Sequence, residues 1–305
     1  MTPHRELVGV VGLGRMGRPM AANLVRAGFR TIGYDGDTAV TTSFGKEFGI
    51  EDNSPEAFDQ AGIVVTMLPT SAIVAAALLG DDSVVGPHLE PDTLVIDMSS
   101  SQPLETLELG KRLGERRIRL IDAPVSGGVR GAIDGTLTIM VGADTDADAR
   151  EATPVLEALG SQIFRAGGLG AGHALKALNN FVGASGFAAA CEALLVAESY
   201  GLDPQVFLDV LNVSTGRNFS THFTLPTAVL TGEFDTGFSL ALMTKDVGIA
   251  ATLAHGLGQP AVVADTVHDL LQAALDELGP QVDHSAAIKH WSGTPGYRGA
   301  DGNAG

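Results

Sequence analysis

The chain has 305 residues, enough for two domains with a core each, and with 45% hydrophobic and 18% charged residues it has the make-up of a globular protein. Its 36 acidic and 19 basic side chains give a net charge of −17, which repels phosphodiester backbones and anionic lipid and argues against nucleic-acid or membrane partners. The single cysteine, Cys191, excludes an intrachain disulfide and a cysteine-based metal centre, and the eight histidines show no ligand-spaced pair, so no metal site is expected. No signal peptide precedes the first strand-like run. Lys176, Asn179, Asn180 and Glu192 interrupt the best candidate for a membrane span, so the sequence reads as that of a cytoplasmic protein.

Leu7-Val-Gly-Val-Val11 has the unbroken apolar character of a strand buried on both faces. It meets Gly12-Leu13-Gly14-Arg15-Met16-Gly17 directly, and a helix closed by Gly28 follows. Glycine at 12 permits a tight turn, at 14 lets backbone approach a pyrophosphate, and at 17 lets helix pack on strand. A second strand, 31–34, ends at Asp35, where an acid bonds ribose hydroxyls and repels a 2′-phosphate. These residues point to a dinucleotide, with NAD preferred and NADP use left open. The alternation continues with a helix start at Ser54-Pro55 and strands at 63–69, 93–97, 118–121 and 137–141. Ser99, Ser100 and Ser101 offer hydroxyls either to cap the helix starting near Pro103 or to meet a ligand. Asp122-Ala-Pro-Val-Ser126-Gly127-Gly128 makes a turn rich in N–H groups, suited to a carboxylate. A helix over 146–159 and a strand over 161–164 close this half.

Strand-like runs cease after residue 166. A proline-free apolar run, 171–200, read as one helix, spans roughly 45 Å and is apolar on nearly all sides, as a buried helix is. It carries Lys176 and, four residues later on the same face, Asn180. Burial disfavours the ammonium form, a condition for an acid/base lysine; the alternative is a lysine snorkelling from the helix end to water. Further helices are predicted over 204–212, 238–256 and 261–278, with a polar loop over 214–221, and His284 and His290 read as surface residues. The expected domains are 1–166, a parallel doubly wound α/β unit of Rossmann type, and 167–291, all-helical, followed by a disordered tail over 292–305.

Four motifs in this order resemble those of the β-hydroxyacid dehydrogenases: Gly12 to Met20, Asp122 to Gly128, Gly170 to Asn180, and Lys245-Asp246. The resemblance covers nearly all of residues 7–291. It implies a Rossmann domain joined through a long interdomain helix to an all-α C-terminal domain, in a homodimer or homotetramer. It implies hydride exchange between nicotinamide and a small 3-hydroxy acid or semialdehyde, with a small carboxylic acid as partner. Carried over residue by residue, it makes Lys176 the catalytic acid/base and Ser126 and Gly127 the carboxylate anchors. Asn180 then holds the hydroxyl or carboxylate, Lys245 closes over cofactor and pocket, and Leu68, Pro69 and Ser100 line the nicotinamide–ribose site.

The stretch Gly216 to His222 departs from the Ser-Ser-Gly-Arg-Ser-Trp pattern common in 3-hydroxyisobutyrate dehydrogenases. Asn218, Ser220 and Thr221 at a pocket edge would favour a more polar acid. Two other readings compete: an imine reductase-like enzyme on the same fold, whose members generally lack the lysine kept here, and a non-catalytic NAD-binding module, which needs none of Lys176, Asn180 and Ser126.

Overall fold

The computed structural model describes residues 7–50, 53–80 and 83–293. The chain divides into two compact units, Met1–Lys176 and Ala177–Gly305. The division falls after Lys176 instead of after residue 166, because the first turn of the long helix is bonded to the sheet of the first unit. Of the tail expected to be disordered, residues 294–305 lie outside the described residues, as do residues 1–6.

In the first unit the order is β1 (Leu7–Val11), α1 (Gly17–Arg26), β2 (Arg30–Tyr34), α2 (Thr38–Phe48), a 3₁₀ turn (Pro55–Gln60), β3 (Ile63–Thr66) and α3 (Ser71–Leu79). Next come a 3₁₀ turn (Gly86–His88), β4 (Leu94–Asp97), α4 (Pro103–Glu115), β5 (Arg119–Asp122), β6 (Val125–Ser126), α5 (Gly128–Asp134), β7 (Leu137–Gly142), α6 (Asp146–Leu159) and β8 (Gly160–Gly167). α7 (Ala171–Tyr200) begins here. Across the sheet the strands run β2-β1-β3-β4-β5-β7-β6, with β8 also paired to β7. β1 to β5 are all parallel; β5 and β6 meet β7 antiparallel, so the sheet is parallel-dominated and mixed at one side.

The two-residue period of a strand divides the apolar side chains between two cores. Val8, Val10, Ile63, Val65, Leu94 and Ile96 face Met20 and Leu24 of α1 and Val155 and Leu159 of α6. Leu7, Val11, Val64 and Val95 face Val74 and Leu78 of α3 and Leu109 and Leu113 of α4. Both faces are therefore covered, and each fully buried Val or Leu contributes about 1.5–3 kcal/mol. The parallel strands all end at one edge, which places Gly12, Asp35, Leu68, Ser99 and Asp122 together where open α/β sheets bind ligands.

The second unit is helical: the rest of α7, α8 (Pro204–Asn212), a π-helix (Ser220–Val229), α9 (Leu240–Gly256), α10 (Val262–Leu278), a 3₁₀ turn (His284–Ala286) and α11 (Ala287–Trp291). α7 runs over the predicted residues. By length and composition alone it could cross a membrane, yet Ala184, Phe187, Cys191 and Leu194 form a seam in the core with Leu225, Val247 and Leu271. The expected burial on nearly all sides is not met: Leu175, Leu178, Val182, Val196 and Tyr200 are exposed.

Two local readings change. The polar stretch over 214–221 leads into the π-helix, and its side chains are used internally. Asn218 Oδ1 accepts N–H bonds from Ser220 and Thr221, the Thr221 hydroxyl bonds Asn212, and Ser220 and Thr221 are buried. These bonds serve the fold of the loop. His284, read as a surface residue, is buried because Asp283 anchors the segment. That carboxylate accepts bonds from the N–H groups of Thr236, Gly237, Phe238 and Ser285 and from the hydroxyls of Thr236 and Ser285. Burial pulls the His284 pKa below its ordinary value, against the opposing charge of Asp283. His290 is partly exposed and pairs with Glu277.

Candidate active site

At the carboxyl edge of β1, Gly12 takes φ +97°, and a Cβ there would lie 2.4 Å from Met67 O. At Gly17 a Cβ would meet Gly12 O at 1.8 Å, so helix and turn approach as closely as glycine allows. A Cβ at Gly14 would meet nothing within 4 Å, leaving its backbone open on the exposed side, beside exposed Arg15. No side chain caps α1 and no acid stands in its first turn, so its N–H groups and dipole are available to an anion. Asp35 Oδ2 accepts the Leu13 N–H at 2.8 Å, which ties the end of β2 to the glycine turn. Leu68 N donates to Ser99 Oγ at 2.9 Å; along the same edge Leu68 and Ser100 are half-buried and Pro69 is exposed. This glycine cradle, with its uncapped helix and its acid, fits the pyrophosphate and ribose of a dinucleotide.

Of the two roles open to the serine hydroxyls, capping α4 or meeting a ligand, Ser99 and Ser101 take neither: Ser99 Oγ accepts the Leu68 N–H and Ser101 turns to Asp97. Gln102 is the N-cap residue and makes no side-chain cap bond, while Ser101 Oγ donates to Asp97 Oδ2 at 2.8 Å. Ser126 ends β6 half-buried, opposite Thr138, and Gly127 follows with φ +126°, a conformation that a side chain would strain. Lys176 is buried, one helical turn after His173.

Sequence reasoning missed what holds that lysine's helix. The first turn of α7 has no capping residue of its own in Gly168-Leu-Gly-Ala-Gly172. Asp122, at the end of β5, supplies the acceptors: Oδ1 takes the Gly170 N–H and Oδ2 the His173 N–H, each at 2.7 Å. Burial pushes the Asp122 pKa up, opposed by His173 and by these two N–H bonds. Asp97, its register neighbour on β4, is also buried, and its Oδ1 accepts from the Thr66 hydroxyl and the Ser99 N–H. Two acids ending neighbouring apolar strands were the available signal, since buried carboxylates require partners. Among the described residues no group of three or more His, Cys, Asp or Glu side chains is placed to hold a metal ion.

In the second unit, Asn180 donates through Nδ2 to Asp246 Oδ2 and accepts from Asn179 at 3.1 Å. Lys245 Nζ stands 3.6 Å from Asp246 Oδ1. Asp246 is buried and links the two predicted residues of this unit; the sequence reading noted it only as part of a motif.

Residues 7–168 match the family model described as the NAD binding domain of 6-phosphogluconate dehydrogenase. Residues 170–291 match that described as NAD-binding of NADP-dependent 3-hydroxyisobutyrate dehydrogenase. The chain is 32% identical to 2-(hydroxymethyl)glutarate dehydrogenase of Eubacterium barkeri over 287 residues, 93% of this chain and 94% of that one. It is 35% identical to mitochondrial 3-hydroxyisobutyrate dehydrogenase of Drosophila melanogaster over 277 residues, 88% and 84% of the two chains. The solved structure of Mycobacterium tuberculosis 3-hydroxyisobutyrate dehydrogenase with L-serine superposes with a TM-score of 0.85 at 34% identity, covering 94% of this chain and 99% of that one. With one family model over the glycine cradle and the second following it along the chain, the chain belongs to the β-hydroxyacid dehydrogenase family and is an NAD(P)-dependent hydroxyacid dehydrogenase.

Proposed function

We propose that this enzyme interconverts a small 3-hydroxy acid and its semialdehyde, with Lys176 as the acid/base. The observation that carries the reading is a lysine buried one turn beyond a helix start that a remote carboxylate fixes in place. Bound NAD(P) supplies the hydride acceptor. In the oxidative direction Lys176 takes the hydroxyl proton as the carbon–oxygen bond becomes a carbonyl, and the reverse reaction returns it. Ser126 and Gly127 anchor the carboxylate, Asn180 holds the hydroxyl, and Lys245 covers the reactants. Gly12, Leu13, Gly14, Arg15, Met16 and Gly17 receive the pyrophosphate, Asp35 the ribose with a preference for NAD, and Leu68, Pro69 and Ser100 the nicotinamide ribose.

The substrates of the relatives share a chemical class, which supports a narrower reading. 2-(Hydroxymethyl)glutarate, 3-hydroxyisobutyrate and L-serine are all carboxylates bearing a hydroxymethyl group on the α-carbon, and they differ in the third substituent. We assign the substrate to that class, HOCH₂–CH(R)–COO⁻. The exposed apolar side chains of α7, with Val182 at 67% and Val196 at 64%, favour self-association as a dimer or tetramer. We propose a cytoplasmic location, with which a single buried thiol is compatible.

The test is initial-rate spectrophotometry at the nicotinamide absorbance with both cofactors. The panel holds 3-hydroxyisobutyrate, 2-(hydroxymethyl)glutarate, serine, 3-hydroxypropionate, glycerate and 4-hydroxybutyrate. Lys176→Ala is expected to lose about 10²–10⁴-fold in turnover while NAD affinity stays within about twofold. Retained turnover, or loss of turnover and NAD binding together, would overturn the acid/base role.

A further inference from the structure

The first turn of α7 holds a buried imidazole for which the reaction above has no use. The His173 side chain is 0% exposed. Its Nδ1 lies 2.8 Å from Thr106 Oγ1, and that hydroxyl gives its one hydrogen to Gln102 O at 3.0 Å. The hydroxyl must then accept from the ring, so Nδ1 carries the hydrogen. Two carboxylates flank the ring: Asp122 Oδ2 is 3.7 Å from Nδ1 and Asp97 Oδ2 is 3.7 Å from Nε2. Nε2 is buried with no hydrogen-bond partner, an arrangement that a residue selected only to fill space would avoid.

The neighbours are themselves fixed. Asp97 is held by Thr66, Ser99 and Ser101, Asp122 by the N–H groups of Gly170 and His173, and Thr106 by the α4 backbone. A leucine would occupy a similar volume without a polar cost, but it could not make a directional bond to α4. The ring therefore adds orientation to a turn that Asp122 already attaches. Rotation of α7 about its own axis leaves the Asp122 bonds near the axis little changed, whereas it swings every side chain on the helix surface. Lys176 follows three residues later on a neighbouring face.

We propose that His173 is a positioning residue for Lys176: bonded through Nδ1 to Thr106 and flanked by Asp97 and Asp122, it sets the rotation of the first turn of α7 and so the place from which Lys176 exchanges the substrate proton. This rests on the acid/base reading of Lys176.

The experiment compares His173→Leu, His173→Asn and Thr106→Val with Lys176→Ala in the full-length enzyme, using the best substrate of the panel. Asparagine retains a donor near the position of Nδ1; leucine does not. His173→Leu is expected to fold with an unchanged circular dichroism spectrum and to lose about ten- to a hundredfold in kcat. Its KM for the cofactor should stay within about twofold, and its pH profile of kcat/KM should be displaced from wild type. Thr106→Val should show the same displacement, and His173→Asn should recover most of the rate. A wild-type kcat and pH profile in both His173→Leu and Thr106→Val would overturn the proposal, as would His173→Asn no better than His173→Leu. If His173→Leu does not fold, Thr106→Val and His173→Asn decide the question by the same readouts. An inactive Lys176→Ala beside unchanged His173 and Thr106 variants removes the positioning role alone. An active Lys176→Ala removes both readings.

Discussion

Replacing Gly172 by alanine isolates how closely α7 approaches the sheet. A Cβ at this position would lie 2.2 Å from Met140 O, 2.8 Å from Asp122 Oδ2 and 3.1 Å from Gly142 N. Carbon and oxygen in ordinary contact stand roughly 3.5 Å apart, so the helix must retreat by about 1 Å. None of the three neighbours can yield easily, since two are strand backbone and the third is a carboxylate tied to Gly170 and His173. Overpacking of this kind costs about 1–3 kcal/mol, and loosening the Asp122 bonds adds about 1–3 kcal/mol more. Alanine returns only about 1 kcal/mol of helix propensity. The net loss is about 1–5 kcal/mol, which lowers a urea midpoint by about 1 M. The control is Gly114→Ala in α4, where a Cβ meets nothing within 4 Å and the same propensity gain should raise the midpoint. Circular dichroism in urea measures both. A shift of about 1 Å at the base of Lys176 should also reduce turnover of Gly172→Ala about a hundredfold. A midpoint for Gly172→Ala equal to or above wild type would refute the claim that the helix is held at backbone distance.

Asp283 makes stability depend on pH in a defined direction. Burial raises its pKa, but the Ser285 hydroxyl and N–H, the His284 charge and the Thr236 hydroxyl together outweigh it and hold the carboxyl below its ordinary value. A depressed folded pKa gives stability that is present above the unfolded value of about 3.9 and is lost as pH falls through the folded one. Asp283→Asn should therefore cost roughly 2–4 kcal/mol at pH 7 and progressively less below about pH 4, read as the gap between urea midpoints across pH. Equal gaps at pH 7 and pH 3 would contradict this. Cys191 is 0% exposed, and burial pushes its thiol pKa well up. A colourless disulfide reagent should accordingly leave it unlabelled in native enzyme and label it fully in denaturant; rapid native labelling would show that the second core opens readily.

The cofactor half was legible because its signals are local. Unbroken apolar runs such as Val8 to Val11 and Leu94 to Ile96 mark strands covered on both faces, and the glycines at 12, 14 and 17 follow the first of them without a gap. The span of α7 was legible because its apolar run continues without a proline. What stayed hidden depends on partners distant in sequence. Asp122 meets Gly170 and His173 across 48 and 51 residues, and nothing near any of the three announces the pairing. His284 is buried through Asp283 bonds that reach back 45 to 47 residues. The π-helix over Ser220–Val229 contains Pro226, which argues against a helix in any local reading, and polar Asn218 and Thr221 suggested a ligand surface while serving as loop bonds. The exposed face of α7 was hidden for a different reason, since hydrophobicity alone does not distinguish a side chain facing its own core from one left uncovered.

The remote attachment of α7 by Asp122 changes how that end of the helix should exchange its amide hydrogens. Helix starts ordinarily fray, and their first N–H groups exchange with solvent in fast local openings. Here the Gly170 and His173 amides are held by a carboxylate that itself ends an interior strand, so exposing them requires β5 to separate from the helix. Their hydrogens should persist as long as those of the sheet. The first turn of this long helix, directly before the buried lysine, then exchanges as slowly as a helix interior.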